Sequence, residues 1–279
     1  MDTASSIGVF DSGIGGLTVW TSLVSEMPGE SMFYVADSGN APYGNKSPEF
    51  ILDRSRSITR FLEELGCRLI VVACNTATGA AISQLRKEFD IPFIGVEPAL
   101  KPAAMESKTG HIGVLATDQT FKGEHFRRTL DLYGNTVDVQ VRVGAGLVEL
   151  VEAGKVDSLE TQELLVQYLM PMVDKGIDQL VLGCTHYPFL IHVIERILPN
   201  HIRIIDPAPA VARQAKKVLE ENGGLNSCSK KPEYRFFTTG NPGTLASVIS
   251  QLTGELVQVA HISGQPLRLT GHSSEYHPA

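Results

Sequence analysis

At 279 residues, 43% of them hydrophobic, the chain can bury a large core and is long enough for two domains. A formal net charge of −7 with scattered basic residues argues against a nucleic-acid footprint. No apolar run approaches the ~20 residues that span a bilayer, no basic-then-apolar leader opens the chain, and four cysteines lack metal-binding spacing. The expectation is a cytosolic protein with reduced thiols and neither membrane nor nucleic-acid partners.

Taken in order, short apolar runs alternate with longer helix-like stretches. Strands are expected at Ile7–Phe10, Met32–Val35, Leu69–Ala73, Phe93–Val96, Ile112–Ala116, Val137–Val143, Gln179–Leu182, Ile202–Ile205 and Arg235–Thr238. They are rich in Val and Ile and read as strands covered on both faces. Helices are expected at Pro48–Leu65, Thr78–Glu88, Leu159–Lys175, Pro188–Leu198 and Ala208–Glu221. This alternation predicts α/β architecture with mostly parallel central sheets.

The chain also resembles itself. Gly8-Val9-Phe10-Asp11-Ser12 matches Gly113-Val114-Leu115-Ala116-Thr117 at an offset of 105. VVACNTATGA (71–80) matches VLGCTHYPFL (181–190) at 110, and Glu97-Pro98-Ala99 matches Asp206-Pro207-Ala208 at 109. Three matches in one order predict two pseudo-symmetric α/β domains with a cleft between them. Proline stops a strand cleanly, so the acid-Pro-Ala segments are natural crossing points. The expected division is 1–98 plus 207–262, then 99–206, with 263–279 as a loose C-terminal tail.

The repeated cysteines, Cys74 and Cys184, fall at strand ends beside the starts of the next helices, where open α/β sheets gather ligands. A helix N-terminus offers free N–H groups and partial positive charge, which favour a thiolate and can hold a carboxylate. Asn75, Thr76 and Thr185 add hydrogen-bonding side chains. Cysteine also packs as a small hydrophobe, and Cys67 and Cys228, without this setting, read as structural or surface residues. Two matched thiols facing one cleft suit racemisation, in which one removes a Cα proton and the other supplies one to the opposite face.

The motifs FDSGIGGLTV (10–19), ADSGNAPYG (36–44), ACNTA (73–77), IGVEPA (94–99), LATDQT (115–120), LGCTHYP (182–188) and IDPA (205–208) stand in order. In these the chain closely resembles bacterial glutamate racemases, within the cofactor-independent aspartate/glutamate racemase group, from about residue 7 to 260. The resemblance implies interconversion of L- and D-glutamate without a cofactor, supply of D-glutamate for peptidoglycan, and a homodimer. It makes Cys74 and Cys184 the acid/base pair. Asp11, Ser12, Tyr43, Gly44, Asn75, Thr76, Thr117, Thr120, Thr185 and His186 would contact or position substrate, and Glu152 would sit beside the second cysteine.

Asp11 near Cys74, and His186 with Glu152 near Cys184, could tune thiol protonation in opposite senses. At this level Asp11 also reads as a helix cap, His186 as a core histidine, Tyr43 as packing and Ser12–Gly16 as a plain turn. Aspartate or other amino acids of the same superfamily remain alternative substrates. A two-domain protein that binds an acidic metabolite without turnover is the alternative from another class.

Overall fold

A computed structural model describes residues 6–134, 136–226 and 231–270. In chain order they form β1 (Ser6–Asp11), α1 (Leu17–Glu26), β2 (Met32–Ala36), α2 (Pro48–Glu64), β3 (Cys67–Val72), α3 (Asn75–Glu88), β4 (Phe93–Gly95) and α4 (Leu100–Glu106). There follow β5 (His111–Ala116), α5 (Asp118–Lys122), α6 (Glu124–Tyr133), β6 (Asp138–Val143), α7 (Leu147–Glu152), α8 (Leu159–Val173), β7 (Gln179–Gly183), α9 (Ile191–Ile197) and β8 (Arg203–Ile205). The described chain closes with α10 (Ala208–Glu221), β9 (Tyr234–Thr238), α11 (Pro242–Thr253), β10 (Val259–Ser263) and β11 (Arg268–Leu269).

The strands build two sheets, one ordered β11-β10-β9-β2-β1-β3-β4 and one ordered β6-β5-β7-β8. The run β2-β1-β3-β4 and the run β6-β5-β7-β8 are the same topology, and every pairing within them is parallel. The fold is therefore α/β with two pseudo-symmetric, mostly parallel sheets. Central strands β1 and β7 are buried at every residue, which only a strand covered on both faces can sustain. Strand β6 departs from that expectation. Its sequence DVQVRV alternates polar and apolar, and it lies at an edge with exposed and half-buried residues.

Helix starts carry local signals. Ser47 accepts the Phe50 N–H ahead of Pro48 and Glu49, and Ser158 accepts the Thr161 N–H ahead of Glu160. Helix α1 has few charges because it is packed into a core shared by both sheets. Leu17, Trp20 and Leu23 belong to the same apolar cluster as Leu115, Leu147 and Leu182. A second cluster lies under α2 and α3 and a third on the outer face of the four-stranded sheet. No helix among the described residues is long and apolar enough to cross a membrane.

One correction concerns the tail. Residues 264–270, expected to be loose, turn back so that β11 pairs antiparallel with β10, Ile262 opposite Leu269 and Ser263 opposite Arg268. Leu267, 2% exposed, plugs the cluster beneath α2. The rest of that segment, 271–279, and Cys228 lie outside the described residues. Replacing Leu267 with Ala should lower stability by about 2–5 kcal/mol, the range for emptying a buried leucine site, measured by urea unfolding. A change below about 0.5 kcal/mol would return this segment to a loose surface role.

Candidate functional site

Both sheets direct strand ends toward one cleft of about 160 Å³. One wall carries Ser12 after β1, Pro42–Asn45 after β2, and Cys74, Asn75 and Thr76 after β3. The other carries Thr117 and Asp118 after β5, Val143–Gly146 at the end of β6 and beyond it, Val148 and Glu149 on α7, and Cys184–His186 after β7. Cys74 is the N-cap of α3, its Sγ accepting the Ala77 N–H at 3.5 Å and lying 3.7 Å from Ser12 Oγ. Cys184 Sγ lies 3.8 Å from His186 Nδ1. Both sulfurs are buried in the protein and both face the cleft.

The charges around the two thiols differ. Burial, then the Asp11 carboxylate, push the Cys74 thiol well above its ordinary range. Cys184 adds to that rise, while the Ala77 N–H and Ser12 oppose it without cancelling it. The depressed thiol expected from a helix N-terminus alone is thus overturned at Cys74. Burial works against a charged ring at His186, yet hydrogen bonds to Cys184 and Glu152 and the charges of Cys184 and Asp11 prevail. The ring's pKa stands well above its usual value, so these contacts favour its charged form. Asp11 is itself raised, first by burial, against the pull of His186 and of the Gly13 N–H.

The Gly-rich turn after β1 acts as a contact between the lobes. The Ile14 N–H donates to Glu152 Oε1 at 2.8 Å, and that same oxygen lies 2.6 Å from His186 Nε2. A Cβ on Gly13 would stand 1.9 Å from Glu152 Oε1, and one on Gly15 would stand 2.3 Å from His186 Nδ1. Glycine is required there by close approach. Three more hydrogen bonds join the walls: Thr76 Oγ1 to Thr117 Oγ1 at 3.0 Å, Thr18 Oγ1 to the Thr185 carbonyl at 3.2 Å, and Thr185 Oγ1 to Asp11 Oδ1 at 3.3 Å.

Of the residues singled out in the sequence, Ser12, Tyr43, Gly44, Cys74, Asn75, Thr76, Thr117, Cys184, Thr185 and His186 line the cleft. Asp11, Thr120 and Glu152 stand one layer behind it. Thr120 holds Thr117, Oγ1 to Oγ1, at 2.8 Å. The Tyr43 hydroxyl points away from the cleft and donates to Asp37 Oδ2 at 2.6 Å, so Tyr43 offers its ring and backbone. Sequence reasoning missed Asp37, which takes five hydrogen bonds from Tyr43, Arg54 (two), Asn40 and Thr239. It also missed the wall Gly144–Glu149. The repeat could have found that wall, because β6 is the counterpart of β2 and so the loop after it is the counterpart of PYG. Lys46 sits outside the cleft, 5.7 Å from the Phe50 ring centre.

Comparison with known proteins gives a consistent result. Residues 17–215 match the model of the Asp/Glu/hydantoin racemase family. The chain is 44% identical over 255 residues to a glutamate racemase of Stutzerimonas stutzeri, covering 91% of this chain and 96% of that protein. A Bacillus anthracis glutamate racemase structure superposes with a TM-score of 0.86 at 32% identity, covering 95% of this chain and 99% of that one. An Escherichia coli glutamate racemase, solved with L-glutamate and the activator UDP-MurNAc-Ala, gives 0.82 at 30% identity, covering 96% and 100%.

Neutralising Asp11 removes one of the charges that keep Cys74 protonated. Asp11→Asn, in a Cys184→Ala background, should speed iodoacetamide alkylation of Cys74 at pH 8 about threefold, because thiolate fraction rises faster than nucleophilicity falls. Peptide mass spectrometry gives the rate, and an unchanged rate would show that Asp11 does not act on this sulfur.

Proposed function

The chain belongs to the Asp/Glu/hydantoin racemase family, and from that premise we propose that it interconverts L- and D-glutamate with Cys74 and Cys184 as the two acid/base groups. The observation that carries this reading is the pair of cysteines at the ends of corresponding strands, β3 and β7, lining one cleft from its two walls. In one direction a thiolate takes the Cα proton, and the electron pair left on Cα takes a proton from the opposite thiol on the other face. The first sulfur ends as a thiol and the second as a thiolate, so the reverse reaction uses the same pair with roles exchanged.

The α-proton of an amino acid is weakly acidic, and the developing negative charge spreads into the α-carboxylate. Donors must therefore be waiting at that carboxylate. The first turn of α3 supplies N–H groups, and Thr76 and Thr117 supply hydroxyls beside them. Asn75 Oδ1 is buried and without a partner, an acceptor for the substrate ammonium. Ser12, Gly44 and the Thr185 hydroxyl complete the contacts, with Tyr43, Asp11 and Thr120 setting the positions of their neighbours. The His186 ring, held by Glu152, faces Cys184, and burial with the Asp11 carboxylate favours the thiol form of Cys74 when no substrate is being turned over.

We read residues 1–98 with 207–262, and residues 99–206, as two domains that close on the substrate and dry the cleft. The Escherichia coli relative's activator is a UDP-MurNAc peptide, which supports a role for the D-glutamate product in peptidoglycan. The family resemblance implies a homodimer, which light scattering measures directly.

Purified protein with either enantiomer and no cofactor added should racemise glutamate, followed by polarimetry, with aspartate turned over far more slowly. Cys74→Ala and Cys184→Ala should each lower kcat at least about 10³-fold in both directions with circular dichroism of the fold unchanged. In deuterated water the product should carry deuterium at Cα. A cysteine variant retaining most turnover in both directions would remove that thiol from the mechanism.

A further inference from the structure

Tyr34 lies on β2, fully buried, and does not line the cleft. Its hydroxyl donates to the Gly13 carbonyl at 2.8 Å. That carbonyl belongs to the same peptide unit as the Ile14 N–H, which donates to Glu152 Oε1 at 2.8 Å. A trans peptide is planar, with its C=O and N–H pointing in opposite directions, so fixing the oxygen fixes the direction of the N–H. Glu152 Oε1 in turn lies 2.6 Å from His186 Nε2, and His186 Nδ1 lies 3.8 Å from Cys184 Sγ.

From this unbroken chain of hydrogen bonds we infer that Tyr34 is a positioning residue for the Cys184 half of the reaction, acting through the Gly13–Ile14 peptide on Glu152 and His186. The inference rests on the two-thiol reading above. The turn has few other means of holding that peptide. Gly13 carries no side chain, and a Cβ there would collide with Glu152. The Gly13 N–H is engaged by Asp11 Oδ2 at 3.0 Å, which fixes the preceding peptide and leaves this one free to rotate. Without the phenol, the Gly13 carbonyl is buried and unsatisfied and gains by turning, and the same rotation carries the N–H away from Glu152. A carboxylate that has lost its donor then holds the His186 ring in a different place. Tyr34 stays a donor at all working pH, because burial and the neighbouring charges of Asp11, Glu152 and Cys74 push its phenol well above the ordinary range.

The test is a double-mutant cycle with full kinetics in both directions. Tyr34→Phe keeps the ring and removes only the hydroxyl; it should lower kcat about tenfold, the effect of one buried hydrogen bond expressed in a rate, with KM within about twofold. In a Glu152→Ala background, which removes the acceptor of the Ile14 N–H, the same change should lower kcat less than about twofold, since the group it acts through is gone. Replacing Tyr34 with 4-aminophenylalanine, which keeps a donor at the same place, should restore kcat to within about threefold, and this arm decides the matter even if the phenylalanine variant does not fold. A kcat unchanged in Tyr34→Phe, an equal loss in both Glu152 backgrounds, or no rescue by the amino analogue would each overturn the inference. Cys184→Ala separates the two levels: an active Cys184→Ala variant overturns the two-thiol reading itself, whereas an inactive one beside an unaffected Tyr34→Phe overturns only the role of Tyr34.

Discussion

The cleft depends on a main-chain N–H of one lobe reaching a carboxylate of the other, Ile14 to Glu152. Such a contact brings backbone and side chain closer than two ordinary residues can come, which is why Gly13 and Gly15 flank it. Glu152 is 21% exposed, and in this largely dry place its Oε1 meets the peptide N–H and the His186 ring. A largely buried carboxylate without partners would be strongly unfavourable, so the approach of the lobes and the pairing of Glu152 are one condition. Apolar packing supports that condition from behind. Helix α1, which the Gly-rich turn leads into, shares a core with Leu115 and Leu182 of the other sheet and with Leu147 of α7.

Symmetry of the frame and asymmetry of the charges follow from different levels of the structure. The same 2-1-3-4 strand order in both sheets puts the two cysteines at equivalent places. Side chains then break the equivalence: Cys74 has the Asp11 carboxylate and a helix N–H, while Cys184 has the His186 ring. For a reaction that takes a proton from one face and returns one to the other, a frame with a sulfur on each side and unlike partners is well suited. One sulfur must lack a proton when the other holds it.

How much of this could be read from the sequence follows the same division. Strands β1, β3, β5 and β7 were legible because a central parallel strand has no polar face, as GVF, LIVV, GVLA and QLVLG show. Helix α1 escaped because the stripe opposite its buried Leu17, Val19, Trp20 and Leu23 is made mostly of hydroxyls, Thr18, Thr21, Ser22 and Ser25, rather than of charges. Strands β10 and β11 escaped because edge pairings are short and leave polar residues exposed. The cysteines were legible through the repeat and the motifs. Asp37 was not, since its importance lies in partners 17 and 202 residues away. The Cys74 shift was half legible: the upward push of the Asp11 carboxylate and the opposing helix N-terminus could be read in the sequence, but the depth of burial, its largest cause, is a property of the assembled fold.

The two walls are also secured to different degrees, and this bears on how a small acid is oriented. The loop after β2 is tied through Tyr43 to Asp37, which also engages Arg54 through both carboxylate oxygens, in the interior of the larger lobe. A buried, bidentate pair with every carboxylate oxygen occupied resists displacement, because moving one member strands the other's charge. The facing loop after β6 is held by tyrosine hydroxyls on main-chain carbonyls, Tyr187 to Gly144 at 3.2 Å and Tyr168 to Ala145 at 2.9 Å. Neutral bonds of this kind are individually worth about 1 kcal/mol. In the proposed reading, the fixed wall, with Gly44, Asn75 and Thr76, is the one that defines where the substrate's carboxylate and ammonium lie. The wall carrying Val148 and Glu149 can adjust to the remainder of the molecule. The proposed two-thiol reaction presents one Cα to two sulfurs while the substituents around it exchange places. Holding the polar groups shared by both enantiomers on the rigid side, and leaving the adaptable side to the rest, meets that demand with a single cleft.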